Sequence, residues 1–162
     1  MKKFLLVVVA ILIVSSISLA QLTAGKMAIT TSIGPAGAIG GAYALSENMR
    51  LNAGLNFSST SVTGGSSSDF GIGAGVWMYK PAMENVTMFY GGGVTFGSTS
   101  VAGTSSSALG VNVSAGAEYW FSPRFAWGGY VSAGFSSSGP SGATTSVFGT
   151  QGVGTSLTWW FN

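Results

Sequence analysis

The sequence predicts an all-β chain, an eight-stranded antiparallel up-and-down transmembrane β-barrel that follows a cleaved signal peptide. Three observations predict it. Between Lys26 and Phe161 eight segments alternate apolar residues with Gly, Ser, Thr or Asn, short turns and longer Gly/Ser/Thr stretches alternate between those segments, and only 6% of the chain is charged. A strand with lipid on one face and a lumen on the other needs period-two alternation, and closing the sheet leaves no backbone group unpaired in hydrocarbon.

The N-terminus stands apart from this pattern. Lys2 and Lys3 form a positive start, Phe4 to Val14 an apolar core of eleven residues, and Ser18-Leu19-Ala20 a small-x-small cleavage site before Gln21. The core falls short of the roughly 20 apolar residues of a spanning helix. Residues 1–20 are therefore expected to be a signal peptide and residues 21–162 the barrel domain. No Cys follows the core, which excludes a lipoprotein.

Strands are expected at residues 26–33, 38–45, 50–59, 70–80, 87–97, 108–121, 125–136 and 147–161. The third sets Leu51, Ala53, Leu55 and Phe57 against Asn52, Gly54 and Asn56. The fourth sets Phe70, Ile72, Ala74, Val76 and Met78 against Gly71, Gly73, Gly75, Trp77 and Tyr79. The sixth sets Leu109, Val111, Val113, Ala115, Ala117, Tyr119 and Phe121 against Gly110, Asn112, Ser114, Gly116, Glu118 and Trp120. Short turns are expected at Ser46-Glu47-Asn48-Met49, at residues 81–86 and at Ser122-Pro123-Arg124, where Pro and Asn suit tight turns. At the other end come Gly34-Pro35-Ala36-Gly37 and three long loops at residues 60–69, 98–107 and 137–146. Three turns at one end and four loops at the other put both termini on the turn side, as in a barrel inserted from the periplasm.

Alternation alone does not say which face points inward. A soluble lipocalin-like calyx would turn the apolar face in, but a water-facing surface is normally about 25–35% charged. Gly, Ser, Thr and Asn suit a narrow lumen better. The aromatic residues agree: Tyr43, Trp77, Tyr79, Tyr90, Tyr119, Trp120, Trp127, Trp159 and Trp160 fall toward the turn ends, and Phe57, Phe70, Phe96, Phe135 and Phe148 toward the loop ends. Rings with a polar tip favour membrane interfaces.

After residue 20 the charges cancel, with Lys26, Arg50, Lys80 and Arg124 against Glu47, Asp69, Glu84 and Glu118. No basic patch remains for nucleic acid. The chain has no His, so a Ser-His-Asp triad, a His metal site and a His base are unavailable. Glu118 is the one acid clearly inside a strand and lacks a paired carboxylate. Gly71-Ile72-Gly73-Ala74-Gly75 and Gly91-Gly92-Gly93 precede no helix and are read as strand glycines. No enzyme, no cofactor and no metal are expected.

By parity Glu118 points into the lumen near the turn end. It is expected to meet Lys26, another cation or water, or else to serve as a selectivity charge in a small pore. Trp77, Phe89, Trp120 and Trp160 crowd the same end, which predicts a lumen plugged there and roomier above.

The stretch Gly116-Ala117-Glu118-Tyr119-Trp120-Phe121-Ser122-Pro123-Arg124-Phe125-Ala126-Trp127-Gly128-Gly129 resembles the strand-turn-strand unit of small bacterial outer-membrane β-barrel domains, the OmpA/OmpX-like, opacity-type group. The final Leu157-Thr158-Trp159-Trp160-Phe161-Asn162 is similar to the aromatic last strand read by the outer-membrane assembly machinery, with Trp159 and Phe161 as the signal and Asn162 standing after it. The resemblance implies a monomer in the bacterial outer membrane with periplasmic termini. Its partners would be outer-membrane lipids and, during biogenesis, the assembly machinery. The implied function is a non-enzymatic envelope role with small surface loops, the alternatives being a narrow pore for small solutes or the secreted calyx. Barrel enzymes of similar architecture act on lipid A or peptides through histidines that have no counterpart in this chain.

Overall fold

The computed structural model describes residues 22–33, 38–62, 65–139 and 144–161. The signal-peptide reading and the connection Gly34-Pro35-Ala36-Gly37 fall outside them. The chain forms β1 (Met27–Ile33), β2 (Ala38–Ser46), β3 (Met49–Val62), β4 (Gly65–Met83), β5 (Val86–Val101), β6 (Thr104–Ser122), β7 (Phe125–Gly139) and β8 (Thr145–Phe161). Each strand pairs antiparallel with the next, and β1 pairs with β8 from Met27↔Phe161 to Ile33↔Thr155, closing the barrel.

Two of the expected long loops are largely strand. The β3–β4 ladder runs on through Ser58↔Asp69 to Val62↔Gly65, and the β5–β6 ladder through Ser98↔Ser107 to Val101↔Thr104. The β5–β6 hairpin turns on two residues, Ala102 at φ 49° and Gly103 at φ 83°. Positive φ at both central positions gives the twist that a tight hairpin requires. In the third stretch β7 extends to Gly139 and β8 begins at Thr145. Ser and Thr occupy both faces of these extensions, so the segments carry no apolar alternation although their backbones pair.

The turn-end hairpins share one construction. Each holds two residues outside the strands, Glu47-Asn48, Glu84-Asn85 or Pro123-Arg124, and each register shifts just before the turn, between Ala44/Ser46, Pro81/Met83 and Trp120/Ser122. Pro81 therefore lies within β4 at a bulge, where its missing N–H costs little. The second turn residue then presents its carbonyl to the strand that follows its hairpin. Asn48 accepts from Tyr79 N–H at 2.8 Å, Asn85 from Trp120 N–H at 2.8 Å, and Arg124 from Trp160 N–H at 2.7 Å.

The apolar faces point outward. Leu51, Leu55, Ile72, Val94, Val111 and Val131 are all exposed at mid-wall, which overturns the calyx alternative. Tyr43, Tyr90, Trp127, Trp159 and Phe161 ring the exterior toward the turns, and Phe57, Phe70, Phe96, Phe135 and Phe148 toward the other end. From Trp127 to Phe135 the wall rises roughly 20 Å at a rise near 3.4 Å and a tilt near 40°. Such an exterior matches the hydrocarbon layer of a membrane, where a closed barrel satisfies every spanning backbone group.

Candidate functional site: a septum and a cup

Among the described residues, the largest fully buried side chains are Trp120, Trp160, Glu118 and Thr158. All lie inside the barrel near the turns. Tyr79 and Phe89 join them, while Ala28, Ala42, Ala44 and Ala126 supply small inward positions that make room for the rings. Leu22, ahead of β1, is buried in the same cluster. A short chain segment and seven strands thus converge on one septum.

Its centre is charged. Arg50 Nη1 on β3 meets Glu118 Oε1 on β6 at 3.0 Å, the one salt bridge among the described residues. Tyr79 Oη donates to the same oxygen at 3.2 Å. The guanidinium carbon lies over the Tyr79 ring at 4.7 Å from its centroid and over the Trp160 ring at 5.9 Å, within cation–π range of both. Trp160 stacks on Trp120 at 6.3 Å and 19°, and Tyr79 on Phe89 at 5.5 Å and 27°. The backbone N–H groups of Tyr79, Trp120 and Trp160 are the three held by turn carbonyls. The hairpin turns therefore fix the septum's main aromatic rings.

Above the septum the lumen opens into a cavity of about 1280 Å³. Arg50, Trp77, Phe89 and Tyr130 form its lower lining, and the walls present Ser, Thr, Asn and Gly. Three rings rest in glycine slots. A Cβ on Gly75 would come within 2.5 Å of the Trp77 ring, one on Gly116 within 2.7 Å of Phe89, and one on Gly154 within 2.7 Å of Tyr130. Asp69 near the rim accepts from Thr99 Oγ1 at 2.7 Å and from Ser58 Oγ at 3.2 Å.

Of the residues expected in the lumen, Glu118, Phe89, Trp120 and Trp160 meet in the septum, and Trp77 lies half-buried on the cup floor. Lys26 is not Glu118's partner; Arg50 holds that place, and the Lys26 carbonyl accepts from Ala44 N–H at 2.9 Å at the barrel's lower rim. Arg50 and Tyr79 are the members that site selection from sequence passed over. Parity could have found both, since Arg50 shares the inward face of Asn52 and Gly54, and Tyr79 that of Trp77. Trp159 and Phe161 face outward, Trp159 against Phe125 at 5.9 Å, in an external run that continues through Phe121 to Tyr119.

No protein-family model and no curated protein matches the sequence. Among solved structures the chain is similar to the N-terminal β-barrel domain of Pseudomonas aeruginosa OprF, at TM-score 0.49 and 12% identity over 84% of this chain and 96% of that one. It is also similar to Ail, the attachment invasion locus protein of Yersinia pestis, at TM-score 0.36 and 13% identity over 83% and 94%.

Proposed function

We propose that this chain is a non-enzymatic structural barrel of the bacterial outer membrane, with periplasmic termini and turns and a lumen sealed on the periplasmic side. The observation that carries the reading is the pairing of an apolar exterior with a buried ionic and aromatic septum, Arg50–Glu118 within Tyr79, Trp120 and Trp160. Eight-stranded barrels have interiors that side chains can fill. Here they do so at one level only, which separates an outward-open cup from the periplasm. A lone acid held by an Arg and a Tyr is a poor proton donor or nucleophile, which supports a role without catalysis.

Planar-bilayer recordings test the seal. The unmodified protein should show little or no steady conductance, and Trp120→Ala with Trp160→Ala should admit small ions. The opened path would run past the Arg50–Glu118 pair, whose charges cancel, so it should show little preference between cations and anions. Robust selective conductance in the unmodified protein would replace the structural reading with a narrow pore.

A further inference from the structure

We propose that the cup binds a neutral saccharide, on the premise of the outer-membrane reading above. Three observations specify this ligand chemistry. The first is the floor, where Trp77 and Tyr130 lie in slots made by Gly75 and Gly154 and face the cavity. Rings held this way cost little ordering entropy on binding and supply apolar surface on which the C–H groups of a pyranose can pack. The second is the wall. Hydroxyls and amides such as Asn52, Thr95, Asn112 and Ser114 both donate and accept, as sugar hydroxyls do.

The third observation is charge. Arg50 is neutralised by Glu118 below, and Asp69 near the rim is held by Thr99 and Ser58, so among the described residues the cup offers no free cation for an anionic ligand. A purely apolar ligand would strip water from the wall's polar groups without replacing their hydrogen bonds. At about 1280 Å³ the cavity exceeds the ~300–1,000 Å³ usual for small-molecule sites and has room for a short oligosaccharide.

The wall is also low on one side. The β2–β3 ladder ends at Ile39↔Leu55 and the β1–β8 ladder at Ile33↔Thr155, while β3 continues to Val62 and β8 begins as far up as Thr145. Among the described residues, no strand pairs with β3 or β8 across that gap. Entry from the bulk through the mouth and entry of a glycolipid headgroup over this low side, the side opening, are the two routes that the test separates.

The test uses the refolded full barrel in a sugar-free detergent, with maltotriose as neutral probe and trigalacturonate as anionic control. Folding is scored first by the shift between heated and unheated gel migration. Calorimetry and tryptophan fluorescence should show saturable maltotriose binding with millimolar or tighter affinity, and none for trigalacturonate. Trp77→Ala should weaken it at least tenfold. Should that variant not fold, Ser132→Tyr, which fills the cup from β7, should do the same. An alkyl maltotrioside in phospholipid vesicles, compared with free maltotriose at the same total concentration, distinguishes the sources: preference for the anchored sugar marks entry through the side opening, and equal binding marks the mouth. No saturable binding by a folded, inserted barrel, equal binding of trigalacturonate, or unchanged affinity in the folded variants would overturn the cup assignment alone. Failure to insert would overturn the outer-membrane reading beneath it.

Discussion

At the residue scale the septum joins two kinds of burial. Trp120 and Trp160 are enclosed by apolar contact, and Arg50 and Glu118 by each other and by aromatic faces. Removing one member of a buried pair strands the other charge, at a cost of about 3–5 kcal/mol, whereas replacing both with apolar groups of similar volume is often neutral or stabilising. Arg50→Met alone and Glu118→Leu alone should each lower the urea midpoint of the refolded barrel. The Arg50→Met/Glu118→Leu double variant should recover most of that loss. A double variant whose loss equals the sum of the singles would show that the two side chains are not coupled. Trp120→Ala, which empties one of the two largest fully buried positions among the described residues, should cost about 3–5 kcal/mol in the same assay. Most of this cluster was legible from parity alone: Glu118, Trp120, Trp77 and Tyr79 fall on inward positions once the apolar face is set outward. Glu118's partner was not, because the pair joins β3 to β6 across the lumen, a relation set by closure and strand tilt. Lys26, also near the turn end, could not be separated from Arg50 without that geometry.

At the element scale the two ends of the barrel differ in what sequence can reveal. The turn-end hairpins carry Glu-Asn twice and Pro-Arg once, and their positions were readable to within a few residues. The bulges that precede them were not, since an extra residue in a ladder has no composition of its own. At the loop end the sequence of the paired extensions of β3 to β8 has the composition of loops. A Ser/Thr ladder is held by backbone bonds and leaves no hydrophobic period. The β5–β6 turn gives this a direct check. Ala102 sits at φ 49°, where an L-residue with a Cβ is strained by roughly 1–2 kcal/mol. Ala102→Gly or Ala102→Asn should therefore raise stability by up to about 1 kcal/mol, and Gly103→Val should lower it by 1–2 kcal/mol, in urea titrations followed by tryptophan fluorescence. No change in any of the three variants would mean that the ladder does not reach Val101↔Thr104.

At the scale of the whole molecule, an apolar outer wall, a polar cup and a sealed lower end together define an oriented barrel. Orientation predicts that single cysteines at Ser67 or Thr104 react with an impermeant thiol reagent on intact cells. Cysteines at Asn48 or Ser122 should stay protected until the outer membrane is opened. Labelling at Asn48 without permeabilisation would invert the proposed topology. The central claim, that the apolar face meets lipid and the polar face the lumen, rests on neighbours such as Val111 and Asn112. Val111 is exposed at mid-wall beside Val94 and Phe135, whereas Asn112 lines the cup beside Gly93 and Gly134. The most direct measurement is the folding free energy of Val111→Arg and Asn112→Arg in phospholipid vesicles, read from the heated-versus-unheated gel shift across a denaturant series. An arginine at the bilayer midplane costs about 2–4 kcal/mol and one in the lumen can stay hydrated, so Val111→Arg should be the less stable by that amount. Equal stability of the two variants, or a larger loss in Asn112→Arg, would contradict the assignment of faces and with it the membrane barrel.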